Sequence, residues 1–347
     1  MPQREQAKQS KNILFMEDGT EMLRKLPLII ILLLMIPLAS HAQERHIATY
    51  AGVSGSLGPQ WMSVDLGLFG KYGLNVDWVL MTGGARGIQA MLSGTTSFFT
   101  GDPVGAISVA LQGGDIAIIG TMLNRLPGSI AARKEIREPS DLQGKRIGIA
   151  AFGGSNELSV ILSLKKWNIP REAVILMQSG SPSDRLIALI RGAIDAAPLA
   201  PPESLEASRR GMNILIDFTE IEAFPQRVIV VRRSFLKKNR VTVKRFMQAY
   251  SEGVYYFITN RAKGIATYAK WLRQENPKVN EETYDYFRGM LSLPPRMVRG
   301  EGLRIGLQMI AQRAGRAGTD IALNQFLDES VIDELESEGF FKKFITK

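Results

Sequence analysis

The chain has 347 residues, 45% apolar and 22% charged, which is enough for roughly two packed domains and excludes a disordered chain. It has no cysteine, which excludes disulfides, a thiol nucleophile and a lipid-bearing N-terminal cysteine. The net charge of +9 is carried by scattered basic residues with only short clusters, such as Arg232-Arg233 and Lys237-Lys238, so nucleic-acid binding is not expected.

Residues 1–42 read as a leader. Residues 22–25 (MLRK) form a short basic region, and 26–38 (LPLIIILLLMIPL) an apolar run of thirteen. Residues 40–42 (SHA) then offer small side chains ahead of a cut. A membrane span needs about 20 apolar residues, so a secretory signal peptide is expected, with an uncleaved anchor helix as the alternative. Residues 1–21 read as an upstream extension, with the true start at Met22 and a mature chain from near Gln43 in a periplasm.

From residue 46, short apolar strands alternate with amphipathic helices. Strands are predicted at 46–52, 75–80, 97–100 and 116–122, and helices at 57–69, 84–92 and 103–112. The order then returns, with strands at 146–151, 174–178, 194–197 and 213–218 and helices at 155–167, 182–190 and 201–211. Pro103, Pro182 and Pro201 stand near helix starts, and Gly113, Gly192 and Gly211 at helix ends. Gly94 aligns with Gly192, Pro103 with Pro201, Gly113 with Gly211 and Ile116 with Ile214, each pair 98 residues apart. The repeated unit spans 46–119 and 144–217. This predicts an α/β fold of two similar lobes, each a mostly parallel sheet flanked by helices. One more strand is predicted at 227–231, then helices at 241–260, 262–275, 281–292, 300–315 and 328–338.

In open parallel sheets, ligands sit at the carboxyl ends of strands beside helix N-termini. The repeat places matched loops there: Ser54, Gly55 and Ser56 with Phe152, Gly153, Gly154 and Ser155; Thr82, Gly83 and Gly84 with Ser181; Asp102 with Pro198. These residues are the predicted ligand-binding set, and each also has the plainer reading of a turn or a cap. Asp102 stands before Pro103 as an N-cap, or could serve as a handle for a cationic ligand. Arg86 and Arg125 are candidate anion partners. Trp61, Phe98 and Phe99 read as core, and Phe152 and Phe224 as loop aromatics that could line a pocket.

The stretch GIAAFGGS (148–155) has the glycines and hydroxyl of a phosphate-binding loop, but Gly154 stands where that loop needs lysine. Gly148 lies inside a predicted strand, so the match reduces to a Gly153-Gly154-Ser155 strand-to-helix turn. Catalytic residues are not expected. The histidines are His41, in the leader, and His46, at the mature start, which excludes a His-based triad or a His-rich metal centre. Glu135/Glu138 and Glu281/Glu282 sit in charged surroundings and read as solvated surface. No cofactor and no metal are expected.

The segments GSLGPQWMSVDLGLFGKYGLNVDWVLMTGGARGIQAMLSGTTSFFTGD, PSDLQGKRIGIAAFGGS, LIRGAIDAA and VIVVRRSFLKKNRVTVKRFMQAYSEGVYYF, in that order and spacing, resemble solute-binding proteins of the nitrate/sulfonate/taurine/bicarbonate class of ABC importers. They resemble the branch related to the thiamine-pyrimidine synthases. The resemblance implies a two-lobed type II periplasmic binding fold with the ligand in the cleft. Lobe 1 would be 43–129 and 229–347, and lobe 2 would be 130–228. Crossings would fall near 129–133 and 226–232, with the C-terminal helices packed on lobe 1. The partners implied are a small-molecule ligand and a membrane permease with its cytoplasmic ATPase, served by a monomer. The fungal relatives are enzymes that consume an active-site histidine and carry a cysteine-rich motif, and this chain has neither feature in place. The expected ligand is a sulfonate- or carboxylate-like anion. The alternatives are a thiamine-precursor pyrimidine or other heterocycle, or an exported ligand-sensing role.

Overall fold

The computed structural model describes residues 44–81, 84–318 and 320–345. The expected leader, Thr82 and Gly83 lie outside the described residues. The first half runs β1 (Glu44–Tyr50), α1 (Gly58–Asp65), α2 (Leu68–Lys71), β2 (Leu74–Leu80), α3 (Gly84–Leu92), β3 (Phe98–Gly101), α4 (Pro103–Leu111) and β4 (Ala117–Leu123). The second runs β5 (Ser129–Ala132), β6 (Arg146–Ile149), α5 (Ser155–Lys166), β7 (Ile175–Gln178), α6 (Pro182–Ile190), β8 (Ala196–Leu199), α7 (Glu203–Arg209) and β9 (Asn213–Asp217). After β10 (Arg227–Val231) come the helices α8 (Arg233–Lys238), α9 (Arg240–Thr259), α10 (Arg261–Leu272), α11 (Pro277–Arg288), α12 (Glu301–Arg313), α13 (Ser330–Ser337) and α14 (Lys342–Ile345). Among the described residues, no helix is long and apolar enough to cross a membrane.

The strands form two five-stranded sheets, in the orders β2-β1-β3-β10-β4 and β7-β6-β8-β5-β9. The two orders are the same once each half is counted from its own first strand. The 98-residue offset holds residue for residue in α3 against α6 and in β3 against β8. It also extends beyond the span read from sequence, because β5 and β10 begin 98 residues apart. Each repeat therefore gives its last strand to the other sheet. β5 runs antiparallel between β8 and β9, and β10 antiparallel between β3 and β4.

This exchange corrects the expected crossings. Residues 129–132 and 227–231 are strands within the second and first sheets, so the chain changes sheets just before them, through 124–128 and 218–226. The strand β5 escapes sequence patterning because Ser129–Ala132 is short and buried throughout, with no alternation to read. The predicted helix 57–69 is two helices, broken where Gly67 adopts φ 61°, a left-handed conformation that glycine takes at little cost.

The C-terminal helices divide their packing. α9 and α13 cover the first sheet, with Phe246 stacked on Phe98 at 3.8 Å between ring centroids. α12 packs on α4 of the first lobe and also reaches α5 of the second. Its Leu303, Leu307 and Ile310 share one apolar core with Val104 and Ile107 of α4 and with Leu158 of α5. Gly306 of α12 lets it approach the second crossing, since a Cβ there would come within 2.2 Å of the Phe224 ring. Phe224 is wholly buried in that core rather than exposed to a pocket.

Candidate functional site

The carboxyl ends of β1 and β3 and the head of β10 meet on the first lobe. Pro103 opens α4 without an N–H to satisfy, and Asp102 caps the next donor: Val104 N–H donates to Asp102 Oδ1 at 2.8 Å. On the second lobe β6 ends in a turn that depends on glycine, with Gly153 at φ 79° and Gly154 extended before Ser155. Ser155 N–H donates to Asp102 Oδ2 at 2.8 Å. One carboxylate thus joins the N-termini of α4 and α5, one from each lobe. A Cβ on Gly154 would lie 4.0 Å from that oxygen, in ordinary contact with it.

Three further groups shape the junction. Arg227, the first residue of β10, is only 5% exposed and donates from Nε to Ser56 Oγ at 2.9 Å. Ser56 Oγ is in turn 2.7 Å from Ser54 Oγ. Arg227 Nη1 and the Tyr250 hydroxyl are buried without a hydrogen-bond partner among the described residues. Thr100 Oγ1 donates to Gln60 Oε1 at 2.8 Å, which fixes the strand end beside Asp102. Beneath the turn, Gly153 N–H donates to Glu157 Oε2 at 2.7 Å, and Arg313 of α12 donates to Glu157 Oε1 at 2.6 Å.

Removal from water pushes the Asp102 carboxyl above its usual range, against the opposing pull of the Ser155 side chain, the Val104 and Ser155 N–H groups and the Arg227 guanidinium. Burial likewise pulls the Arg227 guanidinium down, with Tyr250 and Asp102 acting in the other direction. Burial raises the Tyr250 phenol, while Arg227 lowers it. The junction therefore carries one buried cation and one partly buried carboxylate, both short of water and with hydrogen-bonding capacity left over.

Of the residues singled out by sequence, Ser54, Ser56, Asp102, Gly153, Gly154 and Ser155 gather here. The others do not. Gly55 is a packing glycine: its C=O accepts from the Tyr268 hydroxyl at 2.6 Å, and a Cβ would meet the Phe287 ring. Ser181 is exposed and bonds Asp184 within its own helix cap. Pro198 lies inside β8 opposite Ile130, and its C=O accepts from Arg185. Phe152 is 56% exposed and is not part of the buried cluster. Gly84 opens α3 against Phe99. Arg86 is exposed, and Arg125 donates to Thr219 C=O, tying one crossing to the other. The buried cation is instead Arg227. Its one sequence signal is a charge at the head of the apolar run RVIVV, in a strand buried along its whole length.

Two sheets with exchanged last strands, and a polar junction at their carboxyl ends, define a periplasmic-binding type of α/β fold. The family model described as NMT1/THI5 like matches residues 58–263, and the chain belongs to that family. It is 24% identical over 317 residues to a Bacillus subtilis (strain 168) chain designated binding protein YtlA, covering 88% of this chain and 95% of that one. It is 27% identical over 195 residues to the taurine-binding periplasmic protein of Escherichia coli (strain K12), covering 54% of this chain and 59% of that one. Among solved structures it is similar to the periplasmic aliphatic sulphonate binding protein SsuA of Escherichia coli. That match has a TM-score of 0.66 at 18% identity and covers 81% of this chain and 96% of the other. The relatives named here are binding proteins rather than enzymes, and this chain shares their family and fold.

Proposed function

We propose that this chain is the solute-receiving component of an ABC importer, and that it holds one small organic anion of sulfonate or carboxylate type between its lobes. The Asp102–Ser155 junction carries this reading. A carboxylate oxygen fits between the heads of two helices, one per lobe, where backbone donors and helix dipoles favour negative charge. Arg227 supports it with a buried cation whose Nη1 is free to donate. Ligand capture would close the lobes about the two crossings, and the closed monomer would present its cargo to a permease driven by a cytoplasmic ATPase. An N-terminal signal peptide would deliver the chain to the periplasm.

One observation favours a second reading. Asp102 is itself an acceptor at the junction and could serve as the handle for an amine-bearing heterocycle such as a thiamine-precursor pyrimidine. A thermal-shift panel of alkanesulfonates, carboxylates and aminopyrimidines separates the two, run on the wild type and on Arg227→Met. On the first reading an anion raises the melting temperature, and Arg227→Met weakens its binding about 10- to 100-fold. Stabilisation by pyrimidines alone favours the second reading, and a panel without any stabiliser overturns both.

A further inference from the structure

The two oxygens of Asp102 are engaged on different lobes: Oδ1 by Val104 N–H of α4 and Oδ2 by Ser155 N–H of α5, each at 2.8 Å. The neighbouring Gly153 N–H is held by Glu157 Oε2 at 2.7 Å. Donors at the head of α5 are thus already bonded to carboxylates of the chain itself. A second anion brought to Ser155 N–H would stand beside the Asp102 carboxylate, and like charges repel strongly in a site poor in water.

We propose that Asp102 is an internal occupant of the anion position. Its carboxylate latches the two lobes through the heads of α4 and α5, and an arriving anion binds by displacing it from Ser155 N–H. This rests on the anion-binding reading above. Asp102 then sets specificity as a competitor: a solute gains entry only if it is a better partner for Ser155 N–H and Arg227 than a tethered carboxylate. Arg227 makes the exchange feasible. It is anchored to Ser56 on the first lobe and attracts Asp102, so the displaced carboxylate keeps a cation and its bond to Val104. Glu157 is not the moving part, because Arg313 holds its other oxygen at 2.6 Å.

Asparagine at 102 remains a good N-cap of α4 through its one acceptor oxygen, and its amide NH2 group cannot accept from Ser155 N–H. Serine caps α4 but is too short to span to Ser155. The test uses the mature chain as wild type, Asp102→Asn and Asp102→Ser. Amide exchange at Ser155 and small-angle scattering are measured without added solute. Each protein is then titrated with methanesulfonate and with acetate. The latch requires exchange at Ser155 to speed up about tenfold in both variants and the radius of gyration to grow. It also requires anion affinity to rise about tenfold in Asp102→Asn, as the competitor is removed. Unchanged exchange and radius in both variants overturn the latch, whatever the titrations give. Binding by the wild type that is lost in both variants also overturns it, since Asp102 would then contact the ligand rather than compete with it. Faster exchange and a larger radius, with no anion bound by any of the three proteins, uphold the latch and refute the anion reading instead.

Discussion

Arg313 of α12 and Glu157 of α5 form a 2.6 Å ion pair that joins the C-terminal helices to the second lobe directly beneath the Gly153–Ser155 turn. The Glu157 side chain is 4% exposed, so this partner and Gly153 N–H supply the bonds that replace its lost water.

Arg313→Ala leaves that carboxylate buried with one donor and is expected to cost about 1–3 kcal/mol of stability. Glu157→Gln removes the stranded charge, so the double variant should recover part of the loss. A double-mutant cycle by urea unfolding checks this, and strict additivity of the two changes would count against the coupling.

Phe224 lies in the second crossing, wholly buried against Gly306 of α12 and in one core with residues of both lobes. Phe224→Ala is expected to destabilise by about 3–5 kcal/mol, because α12 is held on both sides and cannot collapse into the cavity. The denaturation midpoint should fall at an unchanged slope. A loss below about 1 kcal/mol would mean that the crossing is loosely packed.

Asp195 accepts from Arg146 Nε and Nη2 at 2.9 Å each, and also from the Arg146 backbone N–H. Its carboxyl lies below the usual range, chiefly through the Arg146 side-chain bond, against the upward pull of desolvation. The folded state therefore holds its proton less tightly than the unfolded chain does. The stability it contributes is full above the unfolded value of about 3.9 and is lost as pH falls through the lower folded value. Asp195→Asn should be less stable than wild type at pH 7, and the gap should narrow as pH falls below about 3.9. Urea midpoints across that range measure it, and a gap independent of pH would contradict the assignment.

The repeat is legible in the sequence because it is built from local signals. Turn glycines, helix-start prolines and apolar alternation recur at one spacing, and α3 with α6 and β3 with β8 fall where that spacing puts them. The exchange of β5 and β10 is not legible. Four residues such as Ser129–Ala132 become a strand only by pairing with β8 and β9, which are distant in the chain. Arg227 was missed for the same reason. Its neighbours at the junction, Ser56, Asp102 and Tyr250, are brought to it by the sheet and not by sequence proximity.

By itself the sequence determined the alternation of elements, the duplicated α/β lobes and the glycine- and hydroxyl-bearing turns at the strand ends, since these follow from backbone preferences within a few residues. The tertiary structure decided which turns meet. It brought Ser54, Ser56, Asp102 and Ser155 together with the buried Arg227, left Ser181 capping its own helix, and set α12 across both lobes. Those outcomes depend on where two sheets and a distant helix close on each other, and the desolvated charges at the junction exist only after that closure.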